Sequence, residues 1–253
     1  MGKLEDLIQL DALDLDEVVT RVYGLRERKP REEIEVADGK IFAPLSKTFI
    51  EETYAAKVKQ RTELRDRLPE HDWILELFAG RGALTEHVYA GHCNKLWLVD
   101  VNNANLQRAR SRLEGVTYEA FCMDNLKWLK TLLRFKVKEF QEHLTLVDFD
   151  AFGMPGRQIQ KFFGFFTVQR PLCVAITDGG SRKLGFSSKA VSKLLSKYYR
   201  METTYTRSSQ VFFVNQLMDD IARAQDCRCV RVNNGQNPQK TVVYAGYVLI
   251  PEA

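Results

Sequence analysis

From Trp73 onward, the sequence alternates between two patterns. Short apolar runs of strand length are separated by longer stretches with helical periodicity. Strands that are connected through helices form a parallel sheet, which is covered on both faces and therefore needs strands that are apolar throughout. The chain is 45% hydrophobic, which is enough for such a core. We predict an α/β fold for residues 71–253, preceded by a small N-terminal extension over residues 1–70. This extension is expected to hold short helices and a hairpin around Asp38-Gly39.

The expected elements follow from the period of each segment. The pattern predicts strands at 73–78, 95–100, 117–122, 144–149, 171–177, 228–233 and 241–250. It predicts helices at 82–90, 103–113, 125–140, 156–166 and 209–224. A turn-rich segment at 233–240 joins the last two strands directly, so they must form an antiparallel hairpin. We therefore expect a Rossmann-like, seven-stranded, mostly parallel sheet.

Acidic residues fall near the ends of three predicted strands: Glu76, Asp100 and Asp150. The carboxyl ends of parallel strands lie at the same edge of a sheet, and ligands of open α/β sheets bind there. An acid that closes the second strand, after a glycine turn on the first, can accept hydrogen bonds from ribose hydroxyls. The order of these acids predicts a nucleotide-type ligand.

The glycine turn distinguishes among such ligands. A pyrophosphate site needs Gly-x-Gly-x-x-Gly, but Thr85 stands at the third glycine position. S-adenosylmethionine has no phosphate and needs only a close approach to the backbone, which Ala79, Gly80 and Gly82 would allow. The sequence therefore favours S-adenosylmethionine over NAD or FAD as the cofactor.

Further contacts with the cofactor are expected along the same edge. Asp124 follows the third strand and could accept from the adenine amino group, although an aspartate at this place is also a common helix cap. Glu76 could orient water and the ammonium group of the donor. The predicted cofactor-binding residues are Glu76, Phe78, Ala79, Gly80, Gly82, Asp100, Val101, Asp124, Asn125 and Asp148.

The end of the fourth strand, Asp148-Phe-Asp-Ala-Phe-Gly153, is the predicted catalytic segment. It resembles the Asp-Pro-Phe/Tyr motif of amino-methyltransferases, in which a carboxylate and a carbonyl accept the two N–H bonds of an exocyclic amine. The resemblance implies that Asp150 is this acceptor and that Phe152 stacks on the base. The alternative is that both acids cap a loop and that Phe152 fills the core.

With Thr177-Asp178 at the end of the next strand, this segment resembles the tRNA (guanine-N2) dimethyltransferase family over residues 38–180. Leu77-Phe-Ala-Gly-Arg-Gly82 is similar to the family's first motif, and Val99-Asp-Val-Asn102 is similar to its ribose motif. The resemblance implies a class I methyltransferase fold, S-adenosylmethionine as cofactor and guanine N2 of tRNA as target. Ala151 replaces the proline of the family motif. Alanine retains the backbone carbonyl as an acceptor, but it lacks the proline ring that would fix the direction of this carbonyl.

Contacts with RNA are expected from the segment 181–207, a basic insertion with seven basic residues and one acid. The helical spacing of its lysine and arginine residues places them on one face. There they would either neutralise the phosphates of RNA or simply be solvated. The candidate nucleic-acid-binding residues are Arg182, Lys183, Lys189, Lys193, Lys197 and Arg200. The family's large C-terminal substrate domain is not expected within the 253 residues, so the extension, the insertion or a partner subunit would recognise the substrate.

Other classes of protein lack support in the sequence. No run approaches the roughly 18 apolar residues of a membrane span, and acids near the start do not fit a signal peptide. Five cysteines without paired spacing suit the cytoplasm, and the four histidines lack the spacing of a metal site. Two alternatives stay open: methylation of DNA, protein or a small molecule, and a non-catalytic methyltransferase-like protein that binds RNA or a partner.

Overall fold

The computed structural model describes residues 47–151, 155–179, 209–237 and 242–252. The predicted hairpin around Asp38-Gly39, the catalytic candidate Phe152 and all six basic candidates of the insertion lie outside these residues. The strands are β1 (His71–Leu77), β2 (Cys93–Asp100), β3 (Tyr118–Cys122), β4 (Leu144–Asp150), β5 (Leu172–Asp178), β6 (Cys227–Gln236) and β7 (Val243–Pro251).

Among the described residues, five helical elements connect the strands at the places where helices are predicted, and a further helix precedes the sheet. They are α1 (Lys47–Arg65), the π-helical turn α2 (Thr85–Tyr89), α3 (Asn103–Arg112), α5 (Gly156–Phe165) and α6 (Gln210–Ala224), together with α4, which runs through Asn125–Trp128, Leu129–Leu133 and Arg134–His143. The middle part of α4 is π-helical, and Lys136 has non-helical dihedral angles (φ −105°, ψ 16°), so the helix is kinked there.

The seven strands form one sheet in the order β3-β2-β1-β4-β5-β7-β6. The first five are parallel, whereas β7 is antiparallel to both β5 and β6. The predicted seven-stranded, mostly parallel sheet with a C-terminal antiparallel hairpin is thus confirmed. The prediction was too short for β6, which continues to Gln236 because Asn234 and Gly235, read as turn residues, pair with Ala245 and Tyr244.

Successive side chains of a strand point to opposite faces of the sheet, and both faces are buried along most of β1, β2, β4, β5 and β7. One face packs against α4, α5 and α6 through aromatic residues such as Trp97, Trp128 and Phe140. The opposite face packs against α1, α2 and α3 around Leu64 and Tyr89. The side chains of residues 76, 100, 148 and 150 point to this second face. Their neighbours along the strands, such as Leu77, Val99 and Phe149, belong to the core on the first face.

Helix α1 is the main element that the sequence did not predict. The segment was expected to hold short helices, but a helix of 19 residues lies across the sheet. Its inward face carries the buried polar residues Gln60 and Arg61 beside Leu64, so its apolar stripe is interrupted. The helix contacts α2, where the Tyr54 hydroxyl donates to the Ala83 carbonyl at 2.9 Å. Residues 47–65 therefore pack directly on the predicted catalytic domain.

The described part of the chain contains neither a helix that could span a membrane nor a cluster of side chains that could hold a metal. None of its helices combines the length and the apolar character needed to cross a bilayer. Among the same residues, no cluster of three histidine, cysteine or acidic side chains is arranged to hold a metal ion. Cys227 and Cys229 both lie in β6.

Candidate active site

The glycine turn after β1 lies against β2 and helix α3. The amide groups of Phe78 and Ala79 both donate to the Val99 carbonyl, at 2.9 and 3.1 Å. Phe78, Gly80 and Gly82 have positive φ angles of 72°, 56° and 72°. A Cβ atom at Gly82 would lie 2.7 Å from the Ala109 Cβ atom of α3, so this position excludes any side chain. The turn thus brings the backbone close to the carboxyl edge, as a bound adenosyl group requires.

Asp100 fixes the second side of this edge. One carboxylate oxygen accepts from the Gly80 amide at 2.8 Å, and the other accepts from the Asn102 amide at 2.7 Å. Asp100 thereby couples the glycine turn to the start of α3. Each oxygen keeps a second lone pair with which it can accept from a ribose hydroxyl. Val101, the next residue, is 73% exposed at the rim.

Asp124 and Asn125, at the start of α4, have different environments. Asp124 is exposed and caps α4, because its carboxylate accepts from the Lys127 amide at 3.0 Å. Asn125 is buried, and its Oδ1 atom has no hydrogen-bond partner among the described residues. A buried unpaired acceptor is unfavourable. Because Cys122 at the end of β3 pairs with Asp100 of β2, Asn125 follows at the same edge of the sheet, where a ligand could bring an amino group to it.

Glu76 and Asp148 are register partners on the adjacent strands β1 and β4, and both are almost completely buried. The Thr85 hydroxyl donates to Glu76 at 2.5 Å. Burial raises the pKa of Glu76 well above its ordinary value, and the nearby charge of Asp148 raises it further, which outweighs the opposing effects of Thr85 and Arg61. In the absence of a ligand, ionisation of the Glu76 side chain therefore costs free energy.

Asp148 is held by donors from two helices. Arg61 of α1 forms a bidentate pair with it, with Nε to Oδ2 at 3.0 Å and Nη2 to Oδ1 at 2.8 Å. The Tyr89 hydroxyl of α2 donates to Asp148 at 2.7 Å. Arg61 also reaches the Thr177 hydroxyl of β5 at 2.9 Å, and both members of the ion pair have fully buried side chains. Asp148 thus anchors α1 beneath the edge at which the other acids lie.

Asp150, at the end of β4, is paired with Lys57 of α1. The ammonium nitrogen lies 2.5 Å from Oδ1 and 2.8 Å from Oδ2. Burial by itself would raise the pKa of Asp150, but the charges of Lys57 and Arg61 and hydrogen bonds from Lys57 and Thr177 lower it below the ordinary value. Asp150 is therefore a carboxylate at neutral pH, as an acceptor of N–H bonds must be.

The structure brings the predicted strand-end acids to one face and one edge of the sheet. Four of the side chains that contact these acids were not predicted from the sequence: Lys57, Arg61, Thr85 and Tyr89. The spacing of Lys57 and Arg61 by one helical turn was a usable signal, because it places both cations on one face of a helix. The roles of Tyr89 and Thr85 depend on the π-helical turn α2, which no local pattern reports.

Replacing Glu76 by glutamine is expected to stabilise the ligand-free protein by about 1 kcal/mol at neutral pH, because the amide fills the same space without the cost of a buried charge. The native state holds the Glu76 proton more tightly than the unfolded state does. The advantage of glutamine is therefore absent well below pH ~4.3 and grows as the pH rises above that value. Urea unfolding of both proteins between pH 4 and pH 8 measures it.

The control for this variant is Glu114→Gln, at an exposed site. We expect no comparable change there. Equal stabilities of Glu76→Gln and the parent across the whole pH range would show that Glu76 is not strained.

Comparisons with known proteins support the fold. No protein-family profile and no curated protein sequence matches the chain. Similar solved structures include Trm1 from Pyrococcus horikoshii in complex with S-adenosyl-L-methionine, at 12% identity and a TM-score of 0.56, over 79% of this chain and 56% of that one. The N-methyltransferase NodS from Bradyrhizobium japonicum WM9 in complex with S-adenosyl-L-homocysteine is similar over 87% of this chain and 96% of its own, at 14% identity and a TM-score of 0.48.

The strand order, the glycine turn and the likeness to Trm1 define the class of the fold. The chain has the Rossmann-like fold of class I S-adenosylmethionine-dependent methyltransferases. This agrees with the class implied by its sequence motifs.

Proposed function

We propose that the protein is an S-adenosylmethionine-dependent methyltransferase that acts on an exocyclic base amine in RNA, with guanine N2 of tRNA as the target. The observation that carries this proposal is the position of Asp150 at the carboxyl end of β4, where it is paired with the ammonium of Lys57, on the same edge as Asp100 and the glycine turn. A carboxylate at this place can hold an amine beside the adenosyl site. The sequence resemblance to the tRNA (guanine-N2) dimethyltransferases supports the same target.

The residues present fit the cofactor. Gly80 and Gly82 allow a close approach of the ligand to the backbone, and Asp100 can accept from the ribose hydroxyls. The unpaired Oδ1 atom of Asn125 can accept from the adenine amino group. Glu76 could accept from the donor's ammonium group, which would compensate its burial. S-adenosylmethionine, when bound here, supplies an activated methyl group.

The chain's own contribution to the chemistry is to hold the amine. Asp150 accepts an N–H bond and so directs the nitrogen lone pair away from the carboxylate. Positive charge develops on this nitrogen as its new bond forms, and a nearby fixed carboxylate stabilises that charge. Arg61 and Thr177 keep Asp150 ionised and oriented. The predicted stacking partner of the base, Phe152, stays a prediction.

Methyl transfer from tritium-labelled S-adenosylmethionine tests the proposal. Unmodified tRNA, a DNA of similar length and bulk protein are supplied in parallel, and labelled nucleosides are identified by mass spectrometry. Label in N2-methylguanosine of tRNA is the expected result. Label only in DNA or protein would place the substrate in another class, and no transfer to any of them would contradict the proposal.

The expected compartment of the protein is the cytoplasm. The five cysteines form no disulfide bonds with one another, which is compatible with a reducing environment.

Replacing Asn125 by leucine is expected to weaken binding of S-adenosylmethionine by roughly tenfold, because one hydrogen bond to the adenine amino group is lost. Isothermal titration calorimetry on both proteins measures the change. In the absence of cofactor the variant should be at least as stable as the parent, since it removes a buried acceptor that has no partner among the described residues. Unchanged affinity would show that Asn125 does not contact the adenine.

A further inference from the structure

The ammonium group of Lys57 engages both acceptor oxygens of Asp150, at 2.5 and 2.8 Å. In the proposed reaction, the same carboxylate must accept an N–H bond from the substrate. An ammonium and an exocyclic amine offer the same donor, a nitrogen with hydrogens directed at the carboxylate. Lys57 and the amine therefore compete for one place.

The two ion pairs of α1 differ in how easily they can separate. Arg61 and Asp148 have fully buried side chains, and their two parallel hydrogen bonds form a permanent anchor. Lys57 and Asp150 keep 20% and 15% of their side chains exposed. Water can thus solvate the ammonium of Lys57 when it leaves the carboxylate, whereas it cannot reach Arg61.

Helix α1 is held on both sides of Lys57. One turn before it, the Tyr54 hydroxyl donates to the Ala83 carbonyl at 2.9 Å. One turn after it, Arg61 is fixed to Asp148 and Thr177. The helix can therefore stay in place while the flexible side chain of Lys57 rotates away, so that exchange needs no movement of the backbone.

We propose that Lys57 occupies the amine subsite on Asp150 in the substrate-free protein and that the substrate amine must displace it in order to bind. This inference rests on the proposed function, because it concerns the same carboxylate. Lys57 is then a positioning residue that keeps Asp150 oriented between turnovers. It also favours the cognate substrate, since an amine that is held by other contacts with the protein displaces the tethered ammonium more readily than a free amine does.

The first test uses ethylammonium as a probe and needs no catalytic activity. In Lys57→Ala, the carboxylate of Asp150 loses its lysine partner. The contacts of Arg61 with Asp148 and Thr177 are unchanged, so we expect the variant to fold. We expect millimolar ethylammonium to raise the melting temperature of this variant, with roughly tenfold weaker binding to the parent protein, where Lys57 competes. Tetramethylammonium, which has no N–H bond to donate, should have no effect on either.

Two matched variants complete this test. Lys59→Ala changes an exposed lysine on the same helix and should behave like the parent. Lys57→Ala combined with Asp150→Asn should not bind ethylammonium. Circular dichroism establishes that each variant is folded. Equal binding of ethylammonium by the parent and by folded Lys57→Ala, or binding by neither, would overturn the inference.

The second test separates displacement from a purely structural role through steady-state kinetics with unmodified tRNA. If Lys57 competes with the substrate, Lys57→Ala should lower KM roughly tenfold, whereas Lys59→Ala should leave it unchanged. An unchanged or increased KM in Lys57→Ala would contradict the inference. If the parent protein methylates no tRNA, the proposed function fails, and the ethylammonium experiment still decides whether Lys57 occupies an amine subsite.

Discussion

Replacing Asp150 by asparagine is expected to reduce methyl transfer by about a hundredfold to a thousandfold, in the range found when one preorganised electrostatic contact is removed. The amide side chain keeps the shape of the carboxylate but loses its charge, so it no longer stabilises the positive charge that develops on the amine. Its NH₂ group can also turn toward the substrate, where it would oppose an N–H donor. Single-turnover rates with saturating cofactor measure the effect.

Cofactor affinity separates this loss from a general disturbance of the site. Calorimetry should show nearly the same affinity for S-adenosylmethionine in Asp150→Asn and in the parent, because Asp100 and Asn125 are unchanged. The matched control is Asp219→Asn, which breaks a surface ion pair with Arg231 and should leave the rate unchanged. If Asp150→Asn retained full activity, the carboxylate could not be the group that holds the amine.

Replacing Arg61 by methionine is expected to lower the free energy of unfolding by about 3–5 kcal/mol, because it leaves the buried carboxylate of Asp148 without its counter-ion. In a domain of this size, such a change lowers the melting temperature by roughly 10 °C. Activity should fall as well, since Arg61 also orients Thr177 and helps to keep Asp150 ionised. Thermal and urea unfolding measure the first effect.

A second substitution shows whether the loss comes from the unpaired charge. Adding Asp148→Asn to Arg61→Met should restore part of the stability, because the amide is far cheaper to bury than a carboxylate. Lys59→Met, at an exposed position of the same helix, should change stability by less than about 0.5 kcal/mol. A loss in Arg61→Met no larger than in this control would show that the pair does not hold α1.

The strand-end acids and the glycine turn could be located from the sequence because each lies within one local pattern. A strand has a period of two, and its end is marked by a change to turn residues, so Glu76, Asp100 and Asp150 could be placed at one edge of the sheet. The hairpin of β6 and β7 followed from the short connection between them. These signals depend only on neighbouring residues, and the structure agrees with them.

The contacts of α1 could not be predicted in this way. Lys57 meets Asp150 across 93 positions, and Arg61 meets Thr177 across 116. A cation on a helix face is ordinarily solvated, and only the docked fold shows that these two are paired with acids of the sheet. Asn125 was a candidate from its position after the third strand, but the burial of its unpaired oxygen depends on the packing around α4 and could not be predicted.

The position of α1 in the chain has a consequence for the order in which the protein assembles. The helix precedes every strand of the sheet, yet Arg61 binds residues of β4 and β5. During synthesis, the helix therefore emerges before its partners, because Asp148 follows Arg61 by 87 positions and Thr177 follows it by 116. Contacts of such sequence separation form late in folding. A nascent chain that stops before β5 therefore contains the Lys57–Asp150 pair but lacks Thr177, the β5 partner of Arg61.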